Sequence, residues 1–223
     1  MWKRQRILAV GAACILSALC RPIYAAESLV ANLEDWVPLE LAPESFNALL
    51  GEVNVNGPTL INQEFTPYRA QGVLEGCGFS YQVLLKDWAY RSDLPTVVYG
   101  SIAYFLYPDR VPFLSLRIGL RDIEQREDRL WQRNSSVNYA YMRHEQGSTA
   151  GSEHQVVDGE EGAKNFVFVD PELEKMTWLL AVESLTVGFN REPNRSDLEF
   201  DIPVMFTEVW QELGGCFKEL SGL

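Results

Sequence analysis

The stretch "FLSLRIGLR", residues 113–121, alternates without a break. Leu114, Leu116, Ile118 and Leu120 fall on one side, and Ser115, Arg117 and Arg121 on the other. A period of two is the mark of a β-strand, and one polar side predicts a strand with one face on a core and one in water. Upstream, "YPDR" (107–110) reads as a turn. Before it "TVVYGSIAYFLY" (96–107) is apolar on both sides and rich in β-branched and aromatic residues, which suits a central strand. In "GFSYQVLLKD" (78–87), Phe79, Tyr81, Val83 and Leu85 alternate with Ser80, Gln82 and Lys86. Strands joined by short turns predict an antiparallel meander, placed here at roughly 57–170.

Downstream the pattern weakens. "RDIEQREDRLWQR" (121–133) reads as a solvated connection, and "SVNYAYMRH" (136–144) as a further strand. "EQGSTAGSEHQVVDGEEG" (145–162) has the composition of a mobile surface loop, and "KNFVFVD" (164–170) that of a short strand. Asp170, Pro171 and Glu172 announce a helix carrying Leu173, Met176 and Leu180. "LTVGFN" and "DLEFDI" form a hairpin around "REPNRS", and Pro203 opens a last helix with Phe206, Val209, Trp210, Leu213, Phe217 and Leu220 on one face. Near the start, "APESFNALLGEV" (42–53) predicts a helix with Pro43 in its first turn and Gly51 as its stop. The expected fold class is α+β: an antiparallel meander with a C-terminal helix–strand–strand–helix packed against it. Residues 26–223 are read as one exported domain, with a boundary near 146–163 as the alternative.

The N-terminus carries an address. Lys3, Arg4 and Arg6 precede an apolar run from Ile7 to Cys20, and small residues follow at Ala25 and Ala26. This layout predicts a signal peptide over residues 1–25, cleaved after Ala25, and hence a periplasmic or secreted protein. An uncleaved anchor or a lipoprotein is the rival reading, but the residues before Cys14 and Cys20 fit lipid attachment poorly. No later stretch approaches the roughly 18 apolar residues of a membrane helix, so no integral membrane segment is expected after cleavage. The leader takes four of the 19 basic residues and none of the 31 acidic ones, which leaves 15 against 31, a net charge of −16. Such a surface repels phosphate backbones and anionic lipid, so nucleic acid is not an expected partner.

Cys14 and Cys20 leave with the leader. Cys77 and Cys216 then remain in a compartment where thiols are oxidised, and the simplest reading is a disulfide between them. A nucleophilic cysteine needs a base beside it. Only His144 and His154 are available, and neither stands in a recognisable cysteine-protease setting.

The remaining motifs argue against familiar chemistries. Two histidines across a Gly/Ser loop make a poor zinc site. Residues 190–201 place oxygen side chains at Asn190, Glu192, Asn194, Ser196 and Asp201, but Arg195 stands where a calcium loop of this spacing needs glycine. Asp158, Glu160 and Glu161 read as a solvated acidic turn. Ser148, Ser152 and His154 cluster in a segment expected to be too mobile for catalysis. There is no nucleophile elbow and no phosphate-binding glycine loop. Catalytic residues, cofactor sites and metal ligands are therefore all expected to be none. The aromatics Trp88, Tyr90, Tyr99, Tyr104, Tyr107, Trp131, Tyr139 and Tyr141 lie on or beside strands and read chiefly as core. The expected function is a non-catalytic envelope protein, an assembly component or adaptor with a protein partner in the cell envelope. A ligand-binding module, with glycans as the ligand class, is the alternative, and an unrecognised hydrolase the third reading.

Overall fold

A computed structural model describes residues 36–40, 42–90, 94–145 and 147–222. The expected leader, residues 1–25, lies outside the described residues. The architecture is α+β, with the meander at its centre. β1 (Val37–Leu39) precedes helix α1 (Pro43–Asn56), and the meander follows as β2 (Thr59–Ala70), β3 (Val73–Lys86), β4 (Pro95–Phe105), β5 (Phe113–Arg126) and β6 (Arg129–Ser135). Every neighbouring pair is antiparallel, and β1 closes the far side against β6.

Leu114 is 1% exposed, and Leu116, Ile118 and Leu120 are fully buried. Arg117 and Arg121 are half-covered rather than open to water. The Arg121 guanidinium lies 4.6 Å from the centre of the Tyr99 ring and pairs with Glu161. Beneath that ring sits Gly119, opposite Tyr99 in the register; a Cβ there would come within 2.4 Å of the ring carbon.

The charged run 121–133 is not a connection but a hairpin. β5 continues to Arg126, and Glu127 turns the chain with φ 55°. Ile123 and Leu130 explain why the run stays in the sheet: on the face opposite the main core, both are buried with Leu84, Val97 and Phe46 in a small second core beneath α1. That helix also runs through Gly51 and ends at Gly57, whose φ of 79° suits glycine.

β7 (Tyr139–His144) departs from the expected meander. It pairs with β11 (Ser184–Asn190), which pairs with β12 (Leu198–Pro203), while β8 (Gly147–Ser148) lies beyond β7. These four strands form a second sheet, and its inward Met142, Val187, Phe189, Phe200 and Ile202 pack on Phe79, Tyr81, Ile102 and Leu116 of the first. The segment read as a loop also carries regular structure: β9 (Gln155–Asp158) and β10 (Lys164–Val169) form a hairpin closed by a single 3-10 turn. β10 pairs with the first half of β5, so the large sheet branches there.

Both C-terminal helices begin later than the sequence suggests. α2 (Glu174–Ala181) follows Leu173, although Asp170 still serves it by accepting the Lys175 N–H at 2.7 Å. α3 (Glu208–Ser221) is capped by Thr207, whose hydroxyl accepts the Trp210 N–H at 3.2 Å. Pro203 therefore belongs to β12, and Phe206 is left 81% exposed. Val209, Leu213, Cys216 and Phe217 turn the helix onto β3 and β2, and no described helix is long and apolar enough to cross a membrane.

Candidate functional site

Cys77 and Cys216 are disulfide-bonded, with an S–S distance of 2.09 Å and Cα atoms 6.0 Å apart. Cys77 is fully buried, as an inward residue of β3. Around the two cysteines, Gly214 and Gly215 have room for a side chain, with nothing within 4 Å, whereas a Cβ at Gly78 would lie 2.3 Å from the Ile102 carbonyl oxygen. Gly76 is likewise needed, because a Cβ there would lie 2.6 Å from the Phe105 ring.

At the opposite end of the inner face, the alternation of three strands ends in polar groups. Asp87 follows Val83 and Leu85, Thr96 precedes Val98, and Asp122 follows Ile118 and Leu120; all three are fully buried. Buried charge demands a partner. Arg191, the residue after β11, reaches across from the second sheet to supply it. Its Nε donates to Asp87, Nη1 to Asp122 Oδ2 at 3.2 Å, and Nη2 to Asp122 Oδ1 at 2.6 Å and to the Thr96 hydroxyl at 2.9 Å. Ser135 donates to Asp122 as well, and Arg133 lies 3.4 Å from the same carboxylate. Burial opposes ionisation of Asp122, but the Arg191 charge and the hydrogen bonds from Arg191, Ser135 and Thr96 outweigh it and hold the carboxyl below its ordinary value.

A cleft of about 280 Å³ opens over this cluster, lined by Tyr90, Arg133, Ser135, Ser136 and Glu192 around Arg191. Its two guanidinium groups are matched by the two carboxylates, and Arg191 spends four of its N–H groups on them and Thr96. The cluster is therefore a clasp between the sheets rather than a pocket for an anion. No local pattern marks Arg191, Asp87 or Thr96. The one available signal was Asp122 itself, an acid at an inward position of the strand.

The residues considered for chemistry in the sequence are dispersed. His144 ends β7 with its ring 4.3 Å from the Trp178 ring, and burial lowers its pKa. His154 packs on Phe166 and Phe168, with Nδ1 2.9 Å from the Ser152 carbonyl, an oxygen that can only accept. The Ser148 hydroxyl donates to the Met142 carbonyl. In the 190–201 hairpin, Asn190 donates to Asp197 and Asp201 accepts from Thr186, so their oxygens do not converge. Glu161 pairs with Arg121.

A different feature emerges on the outer face of the meander. The register aligns Tyr68, Gly76, Phe105, Phe113 and Val169 in one row across five strands. The rings of Phe105, Phe113 and Tyr107 stack, with centroids 5.0–6.2 Å apart and planes within 21° of parallel. Tyr68 leans on Phe105 at 5.0 Å. Around this row, Val73 is 66% exposed, Val111 53% and Val169 56%. Stacked rings cover one another's faces, so the row offers apolar edges rather than a flat platform for a sugar ring.

Among the described residues, no group of three or more His, Cys, Asp or Glu side chains could hold a metal ion. No protein-family model matches the chain, and neither a curated protein nor a solved structure is found to match it.

Proposed function

We propose that the chain is an exported, non-catalytic component of the cell envelope, an adaptor or assembly component that holds a protein partner against the outer face of its meander. The observation that carries this reading is the aromatic and aliphatic row from Tyr68 to Val169 with Val73 and Val111 at its margin. A row of partly exposed rings flanked by exposed valines is a mark of an interaction surface. The disulfide supports a periplasmic or secreted location, since such bonds persist where thiols are oxidised.

Pull-down of the protein from its native envelope tests the proposal. A stoichiometric partner is expected with the wild type and should be lost with the double substitution Val111→Glu and Val169→Glu, which touches only exposed side chains. Absence of any stoichiometric partner, or equal retention by the variant, would reject it. A ligand-binding module is the second reading, favoured by the cleft beside Tyr90, which is 39% exposed.

A further inference from the structure

We infer that the open edge of β9 receives an extended, basic segment of the partner, which pairs with it as an added strand. The inference rests on the adaptor reading and specifies its partner. Among the described residues β9 pairs with β10 alone, so this branch of the large sheet ends there and one edge of the strand carries backbone N–H and C=O groups that no described strand adjoins. All four of its residues are exposed, with Val156 at 46% and Val157 at 52%. Sheets guard their edges by brevity, charge, proline or a bulge. β9 is four residues long and Asp158 is its one charge, whereas its two exposed valines and its unbroken register with β10 leave a short regular edge. Such an edge can accept a strand through main-chain hydrogen bonds, with alternate side chains giving selectivity.

Charge decides the occupant. Glu153, Asp158 and Glu160 flank the two valines, and none of them has an ion pair among the described residues. A second copy of the chain, paired about a twofold axis between Val156 and Val157, would set Glu153 against Glu160 of its neighbour. Like charges placed opposite each other destabilise a strand pair. An extended segment with Lys or Arg at its ends and apolar residues between them fits both the acids and the valines. The surface is also continuous with the apolar row: Gln155 stands opposite Val167, two residues from Val169 on the same strand. A strand laid beside β9 would therefore extend the face already assigned to the partner.

A photo-reactive residue placed at Val156 or Val157 of the full chain, irradiated in its native envelope, tests this. Mass spectrometry of the cross-linked peptide should find a segment of another protein with Lys or Arg flanking alternate apolar residues. Retention of that protein should fall at least tenfold with Glu153→Lys, Asp158→Lys and Glu160→Lys combined, with circular dichroism unchanged. It should also weaken as salt is raised. Cross-linking to a second copy, to an acidic segment or to lipid overturns the inference. If a partner co-purifies, is lost with Val111→Glu and Val169→Glu, yet never cross-links through β9, this inference fails while the adaptor reading stands. If no partner is retained at all, both fall.

Discussion

Arg191 and Asp122 lie 69 residues apart in the chain and meet through two hydrogen bonds, at 2.6 and 3.2 Å, across the interior between the two sheets. Removing one member of a buried pair leaves the other charge stranded. Arg191→Met should therefore cost about 3–5 kcal/mol, measured by urea unfolding. A loss under about 1 kcal/mol would mean that water reaches the two carboxylates freely.

The same cluster sets an acid dependence. Asp122 has a native pKa held below its unfolded value, so its contribution to stability is complete above the unfolded pKa of about 3.9. It disappears as pH falls through the lower native value. Unfolding free energies should be level in Asp122's contribution above about pH 5 and decline below about pH 4. Asp122→Asn, folded at neutral pH, should show a shallower decline, and an unchanged slope would exclude Asp122 as a source.

The Cys77–Cys216 bond closes a loop of 139 residues. In the chain-entropy account, replacing both cysteines with alanine should lower stability by about 4–5 kcal/mol. Thiol labelling of the unfolded wild type after removal of residues 1–25, without reductant, should find no free thiol. Two labelled thiols would contradict the bond.

Leu116 is fully buried where the two sheets meet. Leu116→Ala should cost about 2–5 kcal/mol in denaturant unfolding, as large-to-small core changes do. Val111→Ala, at an exposed position, should change stability by less than about 0.5 kcal/mol.

Export is checked at the N-terminus. The basic, apolar and small residues of positions 1–25 predict that protein recovered from the envelope begins near Ala26. Mass spectrometry of full-length chain confined to the cytoplasm would remove the basis for the expected location.

Period-two alternation made β3 and the first half of β5 legible, and β-branched and aromatic composition made β4 legible, with Val97 and Val98 buried in different cores on its two faces. The continuation of β5 was obscured because Asp122 and Ile123 are both buried, one in the clasp and the other under α1. Local polarity therefore looked like solvation. β9 was hidden by its own exposure, since its order comes from pairing with Lys164–Val167 and not from burial. Beyond Asp122, the clasp could not be read without the topology that brings Arg191 over the meander. The disulfide was legible because counting cysteines needs no geometry.

The long covalent loop has a consequence for how the chain is made. Cys77 is synthesised 139 residues before its partner. Throughout that interval its thiol has no correct mate, and every bond it forms must later be undone. Pairing of β3 with β2 and β4 does not cover Cys77, because its side chain points to the face on which α3 docks. The first thiol therefore stays open to mispairing until the helix bearing the second has been made and has packed. Variants that slow the docking of α3 should then accumulate disulfide-linked oligomers during synthesis, even where the finished fold tolerates the change.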